Sequence, residues 1–141
     1  MTNSPPSWSL HPQLEQDTEG VGDLPLSRLL VSNDASYPWL LLVPRRPGVR
    51  EIIDLDEKDQ SQLMIEIAHT SRALKDMTAC HKLNIAAIGN VVPQLHVHIV
   101  ARRHDDPAWP KPVWGMAPAQ AYGLGERERF TAALRRELRI E

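Results

Sequence analysis

From Gln94 to Val100 the chain reads Gln-Leu-His-Val-His-Ile-Val, a strict alternation of polar and apolar side chains. A period of two predicts a β-strand whose faces differ in character. Leu95, Val97 and Ile99 take one face, and Gln94, His96 and His98 take the other. Same-face residues two apart on a strand sit roughly 6–7 Å from each other. His96 and His98 can therefore address one small ligand together.

The first two strands lie well upstream of this one. Leu26–Ser32 is rich in Leu and Val and is followed by Asn33-Asp34-Ala35-Ser36-Tyr37-Pro38, which is turn chemistry. Trp39–Val43 is the next strand, ended by Pro44-Arg45-Arg46-Pro47-Gly48. The short connection predicts an antiparallel pair. The near-continuous apolar run Leu40–Val43 predicts a central strand covered on both faces.

Asp54, with Glu57 three residues on, is expected to cap a helix. Leu63, Ile67, Leu74 and Met77 fall on one stripe of it with Met64 and Ala68 beside, while Lys58, Glu66, Arg72 and Lys75 fall mostly elsewhere. The length is about five to six turns. Leu83–Ile88 reads as a strand, Gly89-Asn90 as a tight turn, and the histidine strand follows at once with Pro93 near its start. His104–Gly115, with three prolines and two tryptophans, is expected to wrap over the surface. A final helix over about Gly125–Leu138 aligns Phe130, Leu134 and Leu138. Adjacent strand pairs with helices between them predict an α+β fold on an antiparallel sheet.

At 141 residues the chain is expected to form one domain, 1–141. Residues 1–25, rich in Pro, Gly and acidic side chains, are expected to be an N-terminal extension packed on it. Pro5, Pro6, Pro12 and Pro25 bracket at most one short helix near Gln13–Asp17, and Trp8 and Leu10 are expected to be pinned down. Residues 104–141 supply the wrap and the last helix. A net charge of −2 gives no basic footprint for nucleic acid. With Cys80 alone, no internal disulfide and no cysteine-rich zinc site can form. Met1–Pro6 lacks the features of a signal peptide, and no window is apolar enough to span a bilayer. The expectation is a cytoplasmic protein with no membrane partner.

Three kinds of chemistry fit the histidine face. It can be plain solvated surface, although such faces carry Lys, Glu or Thr rather than Gln94 and Val100. It can bind a metal, which needs a third ligand such as His104, Asp105 or Asp106 beyond the strand. It can also attack phosphorus, because neutral imidazole is abundant near pH 7 and a second imidazole can bind phosphoryl oxygens or move a proton. His11, His69 and His81 read as structural or exposed, and Cys80 as inert. Arg45-Arg46 could attract a polyphosphate but fits a solvated strand end equally. Trp109-Pro110 and Trp114-Gly115 either close over the site or simply pack.

Gly89-Asn90-Val91-Val92-Pro93-Gln94-Leu95-His96-Val97-His98-Ile99-Val100 resembles the signature of the histidine triad superfamily, His-φ-His-φ-His-φ-φ with φ apolar, preceded by a glycine turn. The flanking order is similar too, from about Leu26 to Trp114. The resemblance implies an antiparallel sheet of about five strands with one long central helix and a C-terminal helix, as a homodimer. It implies a nucleotide substrate, with no cofactor and no metal. By position His96 corresponds to the nucleophile and His98 to the third triad histidine. Asn90 corresponds to the phosphate-binding turn, and Asn33 or Asp34 to a ribose contact. Gln94 stands where the first triad histidine belongs, Val91 where Ser or Thr is frequent, and Trp39 where a histidine is common. Gln94 can orient His96 or donate a hydrogen bond but cannot shuttle a proton. The activity implied is hydrolysis at the α-phosphorus through a nucleotidyl-histidine. Transfer to another acceptor, nucleotide binding without turnover and a metal-dependent barrel are the alternatives.

Overall fold

The structure is a computed structural model and describes residues 7–141; Pro5 and Pro6 lie outside the described residues. The elements run α1 (Pro12–Asp17), β1 (Thr18–Asp23), β2 (Ser27–Ser32), β3 (Trp39–Pro44), a 3-10 turn (Ile52–Asp54), α2 (Glu57–Thr78), β4 (Lys82–Ala86), β5 (Val97–Arg102) and α3 (Glu126–Leu138). Among the described residues the strands form one sheet in the order β1-β2-β3-β5-β4, every neighbouring pair antiparallel. The class is the expected α+β.

The sheet is covered on both faces, and alternation decides which side chain meets which cover. Leu29, Val31, Leu40, Leu42, Val97, Ile99 and Ala101 point to the helical side, where they meet Leu63, Ile67 and Leu74 of α2 and Leu134 and Leu138 of α3. Each Leu, Ile or Val among them taken fully out of water contributes about 1.5–3 kcal/mol. On the other face, Leu30, Leu41 and Val43 pack under Trp8, Leu10 and Leu14 of the N-terminal segment. Further along that face, Val100 packs with Tyr37, Ala108 and Val113, flanked by Trp39 and Trp114. Two separate covers thus share one face, and His96 and His98 belong to the same side.

The structure departs from the sequence reading in several places. β1 was not expected, because Thr-Glu-Gly-Val-Gly-Asp offers only Val21 as an apolar anchor. Pairing with β2 makes it a strand, with a bulge between Gly20 and Gly22. A Cβ on Gly22 would stand 2.9 Å from the Glu141 carbonyl oxygen, so the chain end packs where only glycine fits. The cap of α2 is Asp56, whose carboxylate accepts from the Asp59 N–H. Asp54 instead closes the 3-10 turn by accepting from the Arg50 and Glu51 N–H groups.

Glu66 is buried rather than facing solvent, and its carboxylate accepts from the N–H groups of Leu26 and Ser27 and from Gln62. The entry into β2 turns those two donors inward, where they need an acceptor. Met64 and Ala68 face outward. β4 ends at Ala86, short of Ile88, and β5 begins only at Val97. Pro93 has no N–H, and the Leu95 N–H donates to the Val49 carbonyl outside the sheet, so Gln94–His96 approach the sheet without joining it. Among the described residues no helix is long and apolar enough to cross a membrane.

Candidate active site

His96 and His98 end up side by side, ring centroids 5.0 Å apart and planes at 73°. Both are mostly buried, at 6% and 8% exposure, and both line a cavity of about 700 Å³. One wall of the cavity comes from the N-terminal segment (Leu14, Gln16, Asp17, Thr18), another from Ile88–Val92, and a third from Trp114 and Ala119–Ala121. The cavity is the gap between the two covers of the sheet face.

Hydrogen bonds settle which nitrogen of each ring carries the proton. Nδ1 of His96 lies 2.6 Å from the Gln94 backbone carbonyl, which can only accept. Nδ1 therefore holds the proton, and in the neutral ring the lone pair is on Nε2. His98 is the mirror case. Its Nδ1 accepts from the Trp39 indole N–H at 3.0 Å, which leaves its proton on Nε2. Burial first, and the neighbouring His96 second, push the His98 pKa down to about 4. One ring presents a lone pair and the other a donor.

The remaining sequence candidates divide. Asn33, Asp34 and Asn90 all line the cavity. The Asn33 amide is engaged at both ends, donating to the Gln16 carbonyl and accepting from Arg127. Asp34 Oδ1 accepts from the N–H groups of Ser36 and Gln120, while Oδ2 has no hydrogen-bond partner among the described residues. The Gln94 side chain does not line the cavity. Its amide accepts from the His11 N–H at 2.9 Å and donates to the Ser9 carbonyl at 3.0 Å, clamping the N-terminal segment. Only its backbone oxygen orients His96.

His104, Asp105 and Asp106 do not reach the histidine pair. Asp106 grips the buried Arg102 at 2.7 Å, and His104 stacks on His81 at 3.9 Å. Among the described residues, no group of three or more His, Cys, Asp or Glu side chains is placed to hold a metal ion. Trp114 packs edge-on against His98 at 5.2 Å and against Trp39 at 5.9 Å, so this tryptophan borders the cavity. Trp109 packs instead against Arg102 and His104.

The sequence marks Trp39 as standing where a histidine is common in the family it resembles, but gives it no partner, and it does not assign the α1 wall to the site. The signal for Trp39 is its register: Leu41 pairs with His98 across β3 and β5, so Trp39 lies diagonally beside it on the same face. Nothing in the α1 sequence marks it as a cavity wall.

The HIT domain family model matches residues 13–105 of this chain. Solved structures agree. A histidine triad protein from Bradyrhizobium japonicum is 62% identical with a TM-score of 0.93, covering 94% of this chain and 99% of that one. One from Sinorhizobium meliloti is 40% identical with a TM-score of 0.90, covering 92% and 96%. One from Marinobacter aquaeolei is 39% identical with a TM-score of 0.92, covering 95% and 98%. No curated protein matches significantly. The chain belongs to the HIT domain family.

Proposed function

We propose that the protein is a nucleotidyl hydrolase acting at the α-phosphorus of a nucleoside phosphate conjugate, through a covalent nucleotidyl-histidine on His96. The observation that carries this reading is the Nδ1–H of His96 anchored on the Gln94 carbonyl, which leaves the Nε2 lone pair of a buried ring in the wall of a cavity. In the first step Nε2 attacks phosphorus, the bond to the leaving group breaks with its electron pair going to that group, which takes a proton from solvent, and the ring takes on positive charge. That charge is stabilised by the Nδ1–H bond to the Gln94 oxygen. His98 donates from Nε2 to a non-bridging phosphoryl oxygen. In the second step water attacks phosphorus and gives a proton to solvent, the P–N bond breaks with its electron pair returning to Nε2, and His96 returns to its neutral form. An acceptor other than water makes the same chemistry a transfer.

In this reading Gln94 takes the place of the first triad histidine. The free Oδ2 of Asp34 suits a ribose hydroxyl, and Asn90 lies where the phosphates enter. The open edge of β4, with Ile85 half exposed, supports a homodimer as part of the same reading. Binding without turnover is the second reading. It is favoured by one observation: the Gln94 amide is committed to Ser9 and His11 and offers the cavity no group that moves a proton.

The test is incubation with dinucleoside polyphosphates, nucleoside phosphoramidates and adenylated acceptors, with and without chelator. Product formation that is unaffected by chelator and abolished in His96→Ala supports the hydrolase. Binding without product on every substrate supports the module, and loss of activity with chelator contradicts a metal-free mechanism.

A further inference from the structure

We propose that Trp39 is a positioning residue whose indole N–H holds His98 as the Nε2–H tautomer, fixing it as a hydrogen-bond donor towards the cavity. The inference rests on the reading of His96 and His98 as the reacting pair.

An indole nitrogen donates and never accepts. A partner 3.0 Å away must therefore offer a lone pair, and the imidazole atom at that distance is Nδ1 of His98. A histidine or glutamine at position 39 could present either a donor or an acceptor, so it would leave the tautomer open. Tryptophan removes the choice.

Packing prevents the ring from evading the bond. His98 has Trp39 against it at 5.7 Å, Trp114 at 5.2 Å and His96 at 5.0 Å. A flip would turn a C–H towards the indole and strand a buried donor. Register fixes the other partner, since Trp39 pairs with Val100 and Leu41 with His98 in the ladder between β3 and β5.

The chemical consequence is a division of labour. A His98 that titrated near neutral pH would become a cation beside the nucleophile and compete with it for protons. The groups facing it are His96 on its own chain segment and the uncharged Trp39 and Trp114; Asp17 and Asp34 are the carboxylates lining the same cavity. With Nδ1 committed to Trp39, protonation of His98 requires breaking the indole bond. Burial and His96 act in the same direction, holding its pKa at about 4. His98 then stays a neutral donor near neutral pH, beside the lone pair of His96.

The test is nitrogen-15 NMR of the imidazoles in the unligated protein. In the wild type, His98 Nδ1 is expected at the unprotonated shift and Nε2 at the protonated one from pH 8 to pH 5, with a scalar coupling across the Trp39 N–H and Nδ1. In Trp39→Phe the two tautomers are expected to mix, and protonation of His98, read from the same imidazole shifts, is expected to begin about one pH unit higher. Trp114→Phe, which trims a neighbour without touching the bond, is expected to keep the wild-type tautomer. A protonated Nδ1 or a missing coupling in the wild type would overturn the proposal, and this readout stands even if Trp39→Phe does not fold. So would a folded Trp39→Phe with an unchanged tautomer and unchanged His98 protonation, or a Trp114→Phe with the same effect as Trp39→Phe. The NMR signature needs no turnover, so an inactive protein with the expected tautomer would sink the hydrolase reading and leave this one intact.

Discussion

The backbone carbonyl of Gln94 and Nδ1 of His96 meet at 2.6 Å, while the side chain of the same glutamine reaches away to Ser9 and His11. One residue thus orients the proposed nucleophile and latches the segment that walls the cavity, using different atoms for each task.

That separation makes Gln94→Ala informative. The backbone contact survives, so kcat is expected to fall far less than in His96→Ala. Two side-chain hydrogen bonds are lost, a cost of about 1–2 kcal/mol in total. Hydrogen exchange and limited proteolysis should show the region Ser9–Leu14 opening more readily. A loss of kcat equal to that of His96→Ala would contradict the division of tasks.

His98 imposes a pH dependence on stability. Its folded pKa of about 4 lies below the ordinary value of 6.5, so the unfolded chain binds the proton first. The stabilisation is complete above pH 6.5 and is lost as pH falls towards 4, reaching about 3 kcal/mol. Asp23, Asp54 and Asp106, whose carboxyls are held below 3.8, titrate lower still and leave the upper part of that window to histidine. Urea midpoints measured between pH 7 and 4.5 should fall in the wild type and stay flatter in His98→Gln. Parallel slopes in the two proteins would contradict the buried neutral His98.

The charge of the cavity is expected to favour substrates with a single phosphoryl group. Among the described residues its lining includes Asp17 and Asp34 and no Lys or Arg. Arg45 is spent on the Leu24 and Pro25 carbonyls, and Arg46 on Asp59. A polyphosphate chain would bring several negative charges with no cation to meet them. A nucleoside phosphoramidate is expected to exceed a dinucleoside tetraphosphate in kcat/KM by about tenfold, equivalent to 1.4 kcal/mol. Preference for the tetraphosphate would show that the cavity acquires a cation from elsewhere.

Much of the fold was legible because its signals are periodic. Alternation placed Val97 and Ile99 in the core and His96 and His98 opposite, and the apolar run Leu40–Val43 marked the central strand. β1 was not legible, since pairing with β2 makes it a strand and its own side chains do not. Glu66 looked like a surface residue because no sequence shows that the entry to β2 turns two N–H groups inward. At the site, the histidines announced themselves, but their tautomers depend on a carbonyl and an indole whose placement needs the ladder register. The direction of the Gln94 amide depends on a segment more than eighty residues away.

The central claim is that His96 carries the nucleotidyl group. Rapid acid-free quenching during turnover of an isotope-labelled nucleoside phosphoramidate, followed by peptide mass spectrometry, tests it most directly. A labelled nucleotidyl group is expected on His96, forming and decaying at rates that match turnover and absent in an inactive His96→Ala. Turnover without an adduct on His96, or activity retained in His96→Ala, would contradict it.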